Sequence, residues 1–419
     1  MPAPSINAVV TQHLESATSL YVQRERLTGA PHVKLLQLAR HDERIAAHLD
    51  GLLIASRNGA RVCDAALAES PVGGAFVAGA IALETRDTDA VGPLLAAAQS
   101  SAAAEGGLLR AFGWVAATCL KGIAADLLSS HDAFRRRFGV AVCGMHRVDP
   151  GPRRAQFLTD ADPGVRAAAW RLAGELGRHE LVSTAAASAA QEVDPECRFW
   201  AAWAGLLLGD KQQALGVIVQ LAELPGRLGQ AAFRLALQVR SPDESRPLLQ
   251  ALVQDSGSSR RLIRGAGLAG DPGYVPWLLS RMEDDKLARL AGESFSLITG
   301  ADLAWLDLER KPPENFESGP NDDPNDANVD LDEDDGLPWP DPERVQAWWS
   351  ANSQRFQPGT RYFMGEPVNR ENCLRVLKDG YQRQRIAAAI YLALLNPGTP
   401  LFEWRAPASR QQRALAQMV

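Results

Sequence analysis

The chain has 419 residues, 46% of them hydrophobic and 22% charged, and a net charge of −6. This composition supplies ample core, and no run approaches the ~18 to 20 apolar residues that cross a bilayer, which excludes a membrane-spanning segment from the reading. The charge is uneven: residues 311–343 hold 12 acidic side chains and one basic one, leaving 43 basic and 38 acidic residues in the rest of the chain.

The N-terminal segment MPAPSINAVVTQHLESATSLYVQRERL has no basic stretch leading into an unbroken apolar run, so no secretory signal is recognisable and a cytoplasmic location is expected. Residues 1–59 read as an N-terminal helical cap. Within them His41 and His48 share a helix face two turns apart, about 10 Å by helical rise, too far for one metal ion. The five cysteines, Cys63, Cys119, Cys143, Cys197 and Cys373, are scattered and never within CxxC range, which argues for buried thiols rather than disulfides or a zinc site.

Two stretches 32 positions apart, DPGVRAAAWRLAGELG (162–177) and DPECRFWAAWAGLLLG (194–209), repeat Asp-Pro, Arg, Ala and Gly at the same offsets. Asp162 and Asp194 are suited to accept hydrogen bonds from free N–H groups at a helix start, and Pro163 and Pro195 fit the first helical position. Val165, Ala169, Leu172 and Leu176 form an apolar stripe at helical spacing, as do Cys197, Ala201, Ala204 and Leu208. Gly177 and Gly209 mark the ends. The Ala-rich stretch 180–193 between them predicts a second helix, making the unit a helix pair. Further starts are expected near Pro71, Glu105, Asp132, Pro225, Ser256 and Asp284, at intervals of 27 to 34 residues. One amphipathic pair cannot bury its own apolar face, so this period predicts an all-α fold, an α-solenoid of stacked pairs over 60–310.

The 162–177 stretch resembles the second helix of a HEAT repeat, with Asp162, Val165, Arg166, Ala169 and Gly177 on its pattern. Asp194, Arg198, Ala201 and Gly209 match likewise, with Cys197 in place of Val. The resemblance implies that Asp162, Arg166, Asp194 and Arg198 form a structural ladder between neighbouring repeats. The phrases HDERIAAHLDGLLIAS (41–56), GMHRVDPG (144–151), LPWPDPERVQAWWSANSQRFQPGTRYFMG (337–365) and RQRIAAAIYLALLNPG (383–398) are similar to an uncharacterised bacterial family of HEAT-repeat proteins associated with type VI secretion gene clusters. That resemblance implies an accessory role in secretion and brings no catalytic residues.

Residues 311–340 combine Pro, Asn, Gly and carboxylates, which predicts an acidic flexible linker or loop. An alternative is that this loop folds against a basic groove of the same chain. Asp330, Asp332 and Asp334 have calcium-loop spacing, but Asp335 stands where Gly is needed and Asp341 replaces the bidentate Glu, so no metal is assigned. Residues 341–419 read as a helical C-terminal cap with a repeat-like helix pair: Asp341 and Pro342 open a helix, QPGTRYFMG (357–365) forms a turn and a short extended stretch, and a helix follows over 379–395. The adjacent Trp348 and Trp349 point in different directions, so at most one is expected at a core centre.

No catalytic constellation is recognisable: HExxH is absent, and His179-Glu180 is the sole His-Glu dipeptide. The expectation is a non-enzymatic scaffold without cofactor that binds a protein partner, such as a secreted effector or a secretion component. Arg136, Arg137, Trp170, Trp200 and Trp203 are the candidate partner-binding residues. An immunity protein that neutralises a toxic effector is one alternative. A HEAT-like nucleic-acid-binding protein or DNA glycosylase is the other, using Trp170, Trp200 and Trp203 with Arg166, Arg198 and the FRRRF stretch (134–138), although the small positive excess outside the acidic segment is a weak electrostatic footprint for nucleic acid. The sequence leaves the oligomeric state open.

Overall fold

In chain order the helices are α1 (Asn7–Leu27), α2 (Leu35–Ile54), α3 (Pro71–Thr85), α4 (Thr88–Ser100), α5 (Ala102–Trp114), α6 (Ile123–Ser129), α7 (Ala133–His146), α8 (Arg154–Leu158), α9 (Pro163–Glu175), α10 (Val182–Gln191) and α11 (Pro195–Leu207). They continue with α12 (Gln213–Leu221), α13 (Gly226–Val239), α14 (Pro242–Val253), α15 (Ser259–Ala269), α16 (Val275–Arg281), α17 (Asp285–Thr299), α18 (Pro342–Asn352), α19 (Arg370–Asp379), α20 (Gln382–Leu395) and α21 (Ala408–Gln417). A small antiparallel hairpin pairs β1 (Tyr362–Phe363) with β2 (Glu366–Pro367), Tyr362 opposite Pro367. The fold is all-α. This computed structural model describes residues 6–55, 67–68, 70–253, 256–314, 316, 318–319 and 331–418, so Cys63 and Asp330 lie outside the described residues.

The chain divides into two units, the first made of residues 1–29, 33–217 and 396–419, the second of 30–32 and 218–395. The division falls within α12, inside the stretch expected to be one array, and residues 341–419 do not form a single cap. A period near 30 records successive helix pairs but carries no information about which distant segments share a core.

In the first unit, α7, α9 and α11 are built by one device used three times. Asp132, Asp162 and Asp194 cap them, each carboxylate accepting from the backbone N–H three residues on, at 3.2, 3.0 and 2.8 Å. Arg147, Gly177 and Gly209 end them with positive φ of 54°, 65° and 111°. The N–H of the following residue then closes on a carbonyl five positions back: Val148 on Cys143, Arg178 on Ala173 and Asp210 on Gly205, satisfying carbonyls the last turn leaves free. Small residues set the spacing between these helices. A Cβ at Gly174 would lie 2.6 Å from the Trp203 ring, so only glycine allows this approach. Near the N-terminus, α3 is buried from Gly73 to Leu83, with Phe76 stacked on Tyr21 of α1 at 3.8 Å between centroids. The helix expected near Glu105 begins at Ala102, because the Ser101 hydroxyl accepts from the Ala104 N–H and supplies the cap.

The C-terminal ends of helices in each unit are covered by other segments of the same unit. In the first unit the tail does this: Leu401 N–H donates to the Glu175 carbonyl at 2.9 Å, and the Arg410 guanidinium donates to the carbonyls of Gly113 and Val115 at 2.9 and 3.0 Å. In the second unit the hairpin does it, with Tyr362 N–H on Gly270 at 2.8 Å, Met364 N–H on Leu297 at 2.7 Å and Arg361 on the carbonyls of Leu237, Gln238, Arg240 and Ala269. Helix ends carry unpaired carbonyls and partial negative charge, so N–H donors and guanidinium groups are the groups that can close them.

The second-unit core centres on Phe295, Leu290, Ile298, Val345 and Tyr362. Trp348 and Trp349 are both half-buried and both meet Phe295 edge-on, at 5.7 and 6.4 Å, so neither occupies the centre.

Candidate functional site

The predicted partner-binding residues divide by environment. Trp170 and Trp203 are 2% and 7% exposed, because their positions on α9 and α11 face the neighbouring helix. They fill the core and present no surface to a partner. Trp200 is half-buried, with the Arg171 guanidinium over its ring at 4.8 Å. Arg137 pairs with Glu105 at 2.8 Å and lies over Phe134.

Arg136 belongs to a ladder with Arg166. Arg136 makes a two-point ion pair with Asp160, at 2.8 and 2.9 Å, while its remaining nitrogen donates to the carbonyls of Ser130 and His131. Arg166 repeats this, pairing with Glu192 at 2.9 Å twice and donating to the carbonyls of Asp160 and Ala161. Each acidic partner also accepts the N–H of the next capping aspartate, Asp160 from Asp162 and Glu192 from Asp194. Arg198, at the third equivalent position, donates to the Ala189 carbonyl at 3.2 Å. The hydrogen bonds from Arg166 hold the Glu192 carboxyl down to about 2. Arg136 is thus tied inside the ladder, a role the sequence reading had not given it.

The most developed charged surface lies in the second unit, where residues 331–337 of the acidic segment dock on arginines of α15, α17 and α20. This stretch is not a free linker. Asp334 is 2% exposed and pairs with Arg260 at 2.6 Å, Asp332 pairs with Arg289 at 2.7 Å and accepts from the Ser318 hydroxyl, and Glu333 bridges Arg264 at 2.7 Å and Arg260 at 3.4 Å. Arg383 donates to the Glu333 carbonyl and pairs with Glu293, each at 2.8 Å. Leu337 and Trp339 are buried beyond it, the Trp339 ring beneath Arg289 at 4.7 Å and against Phe316. Gly336, with φ of 75°, makes the turn, and a Cβ there would collide with His32.

The electrostatics follow from this pairing. Arg264 holds the Glu333 carboxyl below its ordinary range. Burial pushes Asp332 up, but hydrogen bonds from Ser318 and Arg289 outweigh it and the net direction is down. Burial wins at Glu293, whose carboxyl is raised despite Arg383. Arg234 on α13 has its side chain open to solvent, and no ion pair joins it to a carboxylate among the described residues; partial desolvation by the protein around its guanidinium, and then the neighbouring Arg264, lower its pKa.

Of the calcium-like spacing, Asp330 lies outside the described residues, and Asp332 and Asp334 pair with Arg289 and Arg260. No group of three potential metal-ligating side chains occurs among the described residues. His41 hydrogen-bonds the Leu20 carbonyl, and His179 the Leu208 carbonyl. Burial pushes the Cys143 thiol up to about 11 and those of Cys197 and Cys373 up to about 12, the direction opposite to a reactive thiolate. No helix among the described residues is long and apolar enough to cross a membrane. Compared with family models, with curated proteins and with solved structures, the chain matches none.

The arginine surface was partly legible in RRLIRGAGLAG (260–270), where Arg260 and Arg264 stand four apart on one helix face. What that pattern lacked was the identity of the carboxylates, which come from 69 and 74 residues away.

Proposed function

We propose that this protein is a non-enzymatic, helical-repeat scaffold of HEAT-like type, located in the cytoplasm, that binds another protein through an arginine-bearing helical surface. One observation carries the reading: Arg260, Arg264, Arg289 and Arg383 already hold an acidic stretch of polypeptide, Asp332 to Asp334, by side-chain and backbone contacts together. A surface that reads carboxylates on an irregular segment of its own chain has the chemistry to read them on a partner. The ladder of Asp132, Arg136, Asp160, Asp162, Arg166 and Glu192 supports the repeat interpretation, since the same bonds recur about one period apart.

The sequence resemblance is the support for assigning this role to type VI secretion, as an adaptor or effector-handling protein. An affinity pull-down from the native host, comparing the intact chain with an Arg264→Glu variant, tests the proposal. Recovery of a secreted effector or secretion component that the variant fails to retain is the expected result. Recovery of nucleic acid alone would overturn it.

A further inference from the structure

The docked acidic stretch leaves part of the arginine surface unsatisfied. Helices α13 and α15 pack side by side: a Cβ at Gly265 would lie 3.2 Å from the Phe233 ring, and Arg261 sits over that ring at 4.3 Å. Arg234 and Arg264 are each next in sequence to one of these contact residues, and they are near enough that the charge of Arg264 acts on Arg234. Arg264 is 38% exposed at its side chain; its short contact, at 2.7 Å, is to Glu333, a carboxylate itself 62% exposed, and Asp334 lies farther off at 3.9 Å. Arg234 has no hydrogen bond, ion pair or ring contact among the described residues and faces solvent. Of the five arginines here, Arg260, Arg264, Arg289 and Arg383 each pair with a carboxylate, and Arg234 has no such partner among the described residues.

We propose that Arg234 and Arg264 form a carboxylate-binding site for an acidic segment of a partner protein, extending past Glu333 the row of carboxylates already bound. This deepens the scaffold reading and rests on it. Two guanidinium groups side by side repel each other in the free protein, and a carboxylate between them removes that repulsion while gaining charge-assisted hydrogen bonds. A peptide fits better than a nucleic acid. Its carboxylates can be spaced by neutral residues, whereas a polyphosphate brings a charge at every nucleotide against Glu333 and Glu293. Exposed Glu333 competes for Arg264, whereas buried Asp334 anchors the docked stretch.

The test uses the full chain and fluorescence anisotropy with three probes: a short labelled peptide alternating glutamate and serine, its glutamine counterpart, and a single-stranded oligonucleotide of equal length. The glutamate peptide is expected to bind and the glutamine peptide not. Arg234→Glu should weaken glutamate-peptide binding by about tenfold or more, the scale of one lost charged contact made repulsive, and Glu333→Gln should strengthen it several-fold. Because Arg234 is exposed and unpaired, both variants should keep wild-type helicity and thermal midpoint, which separates a lost site from a lost fold. Equal binding of the two peptides, indifference to Arg234→Glu, or preferential binding of the oligonucleotide would each overturn the site. Retention by Arg234→Glu of a lysate partner that Arg264→Glu loses would overturn this site while leaving the scaffold reading standing.

Discussion

Arg166 and Glu192, 26 residues apart, form a two-point ion pair in which both bonds are 2.9 Å, and the pair closes the turn before α11 because Glu192 also accepts the N–H of Asp194. One side chain therefore links the start of α9 to the start of the next repeated helix. Arg136 and Asp160 do the same one unit earlier.

Arg166→Ala leaves a mostly buried carboxylate without its partner, and is expected to destabilise the protein by about 1.5–3 kcal/mol, measured by urea denaturation. A double-mutant cycle with Glu192→Gln should show coupling. The Glu192 carboxyl is held down to about 2, below its unfolded value, so its contribution is present above pH ~4.3 and is lost as pH falls toward 2. The Arg166→Ala variant should lose less stability than wild type across that window.

Asp334 and Glu333 are adjacent and differ in burial, 3% against 62% at the side chain, which predicts opposite outcomes. Asp334→Ala strips Arg260 of its closest partner and should cost about 3–5 kcal/mol, seen as a lowered denaturation midpoint. Glu333→Gln should change stability by less than about 1 kcal/mol, as expected for an exposed pair.

Arg361 donates to four helix-terminal carbonyls on α13 and α15, and Arg361→Ala leaves them without that donor. A loss of about 3 kcal/mol is expected in thermal or urea unfolding, with Arg361→Lys intermediate because one ammonium cannot span the same set of acceptors.

His13 and His48 on α1 and α2 face each other through their Nδ1 atoms at 3.0 Å, an arrangement that requires one ring to be the acceptor and therefore uncharged. Burial lowers the His48 pKa, and the neighbouring His13 and Arg44 add to the shift. A histidine with a depressed folded pKa stabilises above its unfolded value near 6.5 and loses that contribution as pH falls through and below it. Stability measured from pH 7.5 down to 5 should decline, and His48→Gln should flatten the decline. An unchanged slope would show that the pair does not couple to folding.

What the sequence determined by itself was the set of features whose causes lie within a few residues. Asp132, Asp162, Asp194 and Asp341 cap helices because a short carboxylate reaches N–H groups two or three positions on. Gly177 and Gly209 end helices because a left-handed residue costs glycine nothing. The tertiary structure decided everything that depends on which segments meet. It put Trp170 inside and Trp200 at the edge, although both ride on helices of the same repeated pattern. It brought residues 396–419 into the first unit, seated Asp334 on Arg260 and placed Arg361 on helix ends more than 100 residues earlier. Local hydrogen bonds are written in adjacent letters, whereas ion pairs across long loops are selected by packing, since a guanidinium can pair with any carboxylate that the folded chain brings within reach.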